Sequence, residues 1–169
     1  MNVATKSILA VFVLAVIGGL FAWTSGGATD GGKWTAYGDA LKKAEGSDRI
    51  LVVDVYTNWC SWCKKMDRDV YGDPAVRAVL DQHFIAAKLN AESTTTHAVG
   101  GQSRSERDIA KSFGVTGYPT TLFLTAAGDP ITVLPGYVPK ETFLLVLEYI
   151  HTRSYERQSW EEFQNQKKS

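Results

Sequence analysis

The sequence predicts an α/β domain, a central mixed sheet with helices on both faces. Two observations predict it. Apolar, β-branched runs at 50–56, 84–90 and 120–125 alternate with stretches whose apolar residues recur at helical spacing, at 34–44, 63–71 and 139–150. A C-x-x-C pair, Cys60 and Cys63, stands where the first of those runs gives way to helix-forming residues.

At 169 residues the chain can hold one domain with a proper core and short appendages. Its formal charge is zero, which argues against nucleic acid or an anionic surface as a partner. Residues 1–28 read as a secretory leader. Lys6 is the only charge before Asp30, residues 8–23 form an uncharged, mostly apolar run, and Gly26, Gly27 and Ala28 offer small residues for cleavage. That run, as helix, spans about 24 Å against a bilayer core of about 30 Å, and residues 24–28 extend it. Cleavage and retention as an N-terminal membrane anchor are both open. Either way the domain is expected on an oxidising side, periplasmic or secreted. Residues 29–33 close a Gly/Ser/Thr-rich linker, residues 34–150 are the domain, and 151–169 are a C-terminal helical extension.

Within the domain, Trp34, Tyr37, Leu41 and Ala44 recur at helical spacing and Gly46 ends the run, which predicts the first helix. Residues 50–56 are the central strand. Helix follows over 63–71, with Met66 and Val70 on its inner face, until Gly72 breaks it. Asp73 and Pro74 spell an N-cap and a first-turn proline, opening a helix that faces inward through Val76, Val79 and Leu80. Residues 84–90 are the next strand, with His83 at an edge. Residues 91–102, which include His97, are polar and Gly-rich and are expected to be an inserted loop near the active site. Ser105 with Asp108 makes a capping box for a helix reaching Phe113. Residues 120–125 and 131–134 are an antiparallel pair across the turn 127–130. Phe143, Leu144, Leu147 and Ile150 stripe the last core helix. Ser159 with Glu162 is a second capping box, and Tyr155, Trp160 and Phe163 suit docking of the tail.

Two-residue spacing puts both sulfurs within bonding reach on one turn. Free N–H groups and the dipole at a helix start favour a thiolate there. A low-pKa thiolate beside a second thiol is the working part of a dithiol–disulfide exchanger. Zinc needs about four ligands, whereas His83, His97 and His151 are scattered, so no metal site is assigned. Haem attachment needs a histidine where Lys64 stands. A structural staple and soft-metal capture are the other readings, though so short a loop constrains little of the unfolded chain. Asp54, inside the apolar strand, is costly unless paired or protonated. Strand alternation that turns it to solvent is the alternative.

The segment from Asp54 to Lys64, with Trp59-Cys60-Ser61-Trp62-Cys63-Lys64 at its heart, resembles the active-site segment of thioredoxins. Residues 87–90 resemble the third strand of that family, 113–120 its cis-proline loop, Gly128-Asp129 its last turn and Gly136 the glycine ending its final strand. The resemblance covers about 34–150 and is nearer to extracytoplasmic thioredoxin-like thiol:disulfide interchange proteins, with Ser61-Trp62 replacing the usual Gly-Pro.

The resemblance implies a thioredoxin-like fold and a protein-disulfide reductase. Reduced Cys60, expected to be the more exposed thiol, attacks a substrate disulfide. Cys63 resolves the mixed disulfide and leaves a Cys60–Cys63 bridge. Asp54, loosely paired with Lys88, is the implied proton acceptor or donor for Cys63 through a water. Pro119 is implied to be cis, exposing the backbone of Tyr118 to an extended substrate segment. Trp59 and Trp62 give that partner an apolar docking surface. No bound cofactor is implied. The expected partners are disulfide-containing secreted or periplasmic proteins and a membrane electron carrier, with the protein a monomer. A disulfide oxidase or isomerase, and a non-enzymatic thiol metal carrier or adaptor, are the alternatives.

Overall fold

The computed structural model describes residues 34–168. The leader at 1–28 and the linker at 29–33 lie outside the described residues. β2 (Ile50–Tyr56) is the middle of a five-stranded sheet ordered β1-β3-β2-β6-β7. Its run Ile-Leu-Val-Val-Asp-Val-Tyr is buried on both faces, which is why it reads as continuous rather than alternating. β1 (Thr35–Ala36) and β3 (Phe84–Asn90) run parallel to it, β6 (Thr120–Leu124) runs antiparallel, and β7 (Pro130–Pro135) is antiparallel to β6. Among the described residues, no helix is long and apolar enough to cross a membrane.

Alternation along the strands builds two cores. Val53 and Val55 face α1 (Tyr37–Ala44) and α4 (Glu106–Ser112), packing with Tyr37, Leu89 and Ile109. Val52 faces the other way, onto Met66, Val70, Phe123 and Phe143. That second side carries α2 (Ser61–Met66), a π turn (Asp67–Tyr71), α3 (Pro74–His83) and α5 (Lys140–His151). Asp54, two residues beyond Val52, shares this side.

The capping residues act as their spacing predicts. Asp73 accepts from the Ala75 N–H at 2.9 Å, Ser105 from the Asp108 N–H at 3.2 Å and Ser159 from the Glu162 N–H at 3.2 Å. After a short 3-10 turn (Ser154–Glu156), α6 (Trp160–Lys168) buries Phe163 against Tyr149, ring centroids 5.1 Å apart.

Three expectations are corrected. Trp34 is not the start of the first helix but precedes β1, its ring edge-on to Tyr71 at 4.9 Å. The three-residue step from Trp34 to Tyr37 imitates helical spacing. The helix after Cys63 does not run evenly to Tyr71 but widens into the π turn, where the Gly72 N–H donates to the Asp67 carbonyl at 2.8 Å. The stretch 91–102 is not a plain loop: β4 (Thr96–Val99) and β5 (Gln102–Ser105) form a hairpin. Its turn is Gly100-Gly101, with φ of 58° and 78°, the pair of positive values that a two-residue hairpin of matching twist demands.

Candidate active site

β2 ends at Tyr56, and the chain turns through Thr57 to Cys60, whose N–H donates to the Thr57 carbonyl at 3.2 Å. Cys60 then caps α2, and its Sγ accepts from the Cys63 N–H at 3.0 Å. Cys60 and Cys63 are joined by a disulfide, Cα atoms 5.3 Å apart. The expected difference in exposure is absent in this bridged form, where each cysteine is only 3% exposed. The Cys60 sulfur is turned back onto its own helix, bonded to Cys63 Sγ and accepting from the Cys63 N–H.

Trp59 and Trp62 flank the bridge and are 67% and 55% exposed. Neither is free to wander. The Trp59 indole N–H donates to Glu92 Oε1 at 2.9 Å, and its ring stands edge-on to Tyr118 at 6.1 Å. Trp62 leans on Tyr137 at 5.5 Å. The Tyr118–Pro119 peptide bond is cis. Val55 pairs with Thr120 across the sheet, so Pro119 lies at the end of β2 from which the cysteines follow. The Pro119 carbonyl accepts from the Gly136 N–H at 2.8 Å, which ties that loop to the end of β7.

At the C-terminal end of α2, where Asp67 caps it, lies a charged cluster. Asp54, 1% exposed, takes the Lys88 ammonium on Oδ2 at 2.6 Å. The register puts Lys88 beside Asp54 across β3 and β2. The solvent reading of Asp54 is thereby excluded. Asp54 Oδ1 and Thr57 Oγ are buried without a hydrogen-bond partner among the described residues. Burial pushes the Asp54 carboxyl up to about 6, against the opposing charge and hydrogen bond of Lys88. Burial pulls Lys88 down, but Asp54 and Asp67 override it and hold Lys88 above its ordinary value. The ammonium answers to two carboxylates while Asp54 is sealed within the middle strand of the sheet, so the cost of the pair falls on Asp54.

Asp67 is the residue the sequence reading missed. It bonds Lys88 from the first position of the π turn. Its signal was its place four residues after Cys63, one helical turn along the same face. Trp34, Tyr56 and Tyr71 complete the surroundings of Lys88, with ring centroids 5.0, 5.4 and 5.7 Å from its Nζ.

The histidines stand elsewhere. His83 and His151 stack on each other at 4.1 Å, and His97 bonds Glu106 at 2.9 Å. No group of three or more His, Cys, Asp or Glu among the described residues is placed to hold a metal.

The family model of the thioredoxin-like domain matches residues 37–151. The chain belongs to the thioredoxin-like family. It is 33% identical over 111 residues to the thiol:disulfide interchange protein DsbD of Ralstonia nicotianae, a match that covers 64% of this chain and 17% of that protein. The chain thus spans a small part of the curated relatives it matches. A thioredoxin-fold protein from Helicobacter pylori superposes with a TM-score of 0.62 at 27% identity, over 71% of this chain and 80% of that one. A thioredoxin from Thermus thermophilus does so at 0.58 and 26%, over 71% and 87%. A thioredoxin-like domain with a bridged Cys60–Cys63 pair supports thiol–disulfide oxidoreductase chemistry.

Proposed function

We propose that the protein is an extracytoplasmic thiol–disulfide oxidoreductase that reduces protein disulfides by dithiol exchange. The observation that carries the reading is the Cys60–Cys63 bridge at a strand-to-helix junction, flanked by exposed indoles, with a buried carboxyl, Asp54, on the strand that leads into it. In the reduced protein the Cys60 thiolate attacks one sulfur of a substrate disulfide. The other substrate sulfur leaves as a thiolate and takes a proton. Asp54 accepts the proton of Cys63, and the Cys63 thiolate attacks Cys60 Sγ. That second attack expels the remaining substrate sulfur, so the substrate gains two electrons and the Cys60–Cys63 pair loses them. A dithiol donor, by this reading a membrane electron carrier, restores the pair.

Trp59 and Trp62 seat the substrate, and the Tyr118 backbone beside Pro119 pairs with its extended segment. The apolar run at 8–23 and the likeness to DsbD support a place outside the cytoplasm. Trapping tests the reading. Cys63→Ser leaves Cys60 unable to be resolved, so polypeptides should accumulate on it as mixed disulfides that dithiothreitol releases. A Cys63→Ser protein that collects no thiol-releasable partner contradicts the proposal.

A further inference from the structure

We propose that Trp34 is a positioning residue for proton transfer at the dithiol, keeping the Lys88 ammonium on Asp54 as well as on Asp67. The inference rests on the reading of Asp54 as the proton acceptor of Cys63.

Lys88 has two carboxylates within reach, and they differ in their access to water. Asp54 is sealed at 1% side-chain exposure, while Asp67 is 46% exposed. A lysine head on a flexible stem goes to the wetter partner when its path is open. Here Lys88 bonds both, and three rings stand around its head. β1 pairs with β3 through Thr35 with Ala87 and Ala36 with Lys88, which holds the adjoining Trp34 beside the Lys88 head. The Trp34 ring lies 5.0 Å from Nζ, with Tyr56 and Tyr71 forming the other two walls. Ring faces attract an ammonium and exclude water from it. Trp34 is itself braced edge-on by Tyr71, whose hydroxyl is fixed on Thr121 Oγ at 2.7 Å.

The titratable groups facing Lys88 are Asp54 and Tyr56 from β2 and Asp67 and Tyr71 from the π turn, with Glu106 of α4 acting on Tyr56 from beyond. Burial raises both tyrosines, so neither supplies a charge at neutral pH. Without the Trp34 ring, Lys88 gives up Asp54 and keeps Asp67. Asp54 then loses the charge that opposes its burial and titrates higher, and Cys63 loses its acceptor at neutral pH.

Stopped-flow reaction of the reduced protein with 5,5′-dithiobis(2-nitrobenzoate) separates the two sulfurs. The first thiolate released reports attack by Cys60 and the second reports resolution by Cys63. In the native protein the second phase should show a pH inflection that Asp54→Asn removes. Trp34→Leu should move that inflection up by about one pH unit, a roughly tenfold slower second phase below it, while Trp34→Phe leaves it in place. Lys88→Met should give an upward shift of its own, and Trp34→Leu should add nothing in that background. An inflection that Trp34→Leu leaves unmoved, or moves equally with Lys88→Met present, overturns the role of Trp34 alone. Should Trp34→Leu not fold, a Lys88→Met inflection that stays put overturns it instead. A profile that Asp54→Asn does not change overturns the Asp54 reading, and this inference with it.

Discussion

Lys88 Nζ lies 2.6 Å from Asp54 Oδ2, yet the second oxygen of the same carboxylate is buried with no hydrogen-bond partner among the described residues. One half of Asp54 is thus held by a charge and the other half is available to a proton. The same arrangement makes Asp54 a burden on the fold at neutral pH.

Asp54→Asn should make the protein more stable at pH 7. Burial raises the folded Asp54 from 3.8 to about 6, so the folded state binds the proton more tightly than the unfolded one. The stability this gives is fully present below the unfolded value and is lost as pH rises through about 6. The lost amount is of the order of 2–3 kcal/mol at pH 7. Urea denaturation of both proteins at pH 4 and pH 7 checks this. The gain should shrink at the lower pH, and an Asn variant no more stable at pH 7 contradicts it.

The same substitution should slow resolution of the mixed disulfide by roughly 100-fold at neutral pH, the lower range for loss of a positioned acid–base group. Attack by Cys60 should change far less. Quenched-flow trapping with a disulfide peptide separates the two steps. Equal slowing of both would point to a structural disturbance.

Trp62→Ala should raise KM for a polypeptide disulfide several-fold while leaving Tm nearly unchanged, because the side chain is exposed and leans on Tyr137 at the surface. A small disulfide should be reduced at the native rate. A fall in Tm of many degrees would instead make Trp62 part of the core.

Gly38→Ala should cost about 1–3 kcal/mol. A Cβ there would stand 2.6 Å from His97 Nδ1, and His97 is held in place by Glu106, whose other oxygen accepts from the Asn90 N–H at 3.0 Å. His97→Ala should remove most of that cost, a coupling that a double-mutant cycle in urea measures. Additive losses would show that the close approach does not matter.

What the sequence made legible was local. β2 declares itself through an unbroken apolar run, and the caps at Asp73, Ser105 and Ser159 through residue spacing. The β4–β5 hairpin was obscured because its strands are short and polar, leaving Gly100-Gly101 as the one signal. The disulfide pair was plain from Cys60 and Cys63, and Lys88 followed from the family likeness. Asp67 and Trp34 were not seen as partners of Lys88, because sheet register and a π turn bring them there from 21 and 54 residues away. Spacing put Asp67 on the Cys63 face of the helix but carries no trace of its meeting with Lys88. Equal burial of the two cysteines in the bridged form was equally invisible, because exposure depends on what the rest of the fold packs around them.

Turnover of insulin disulfides with dithiothreitol as donor tests the central claim most directly. The native protein should precipitate the insulin B chain catalytically, and Cys60→Ser should bring the rate down to that of dithiothreitol alone. Undiminished catalysis by Cys60→Ser would contradict the account.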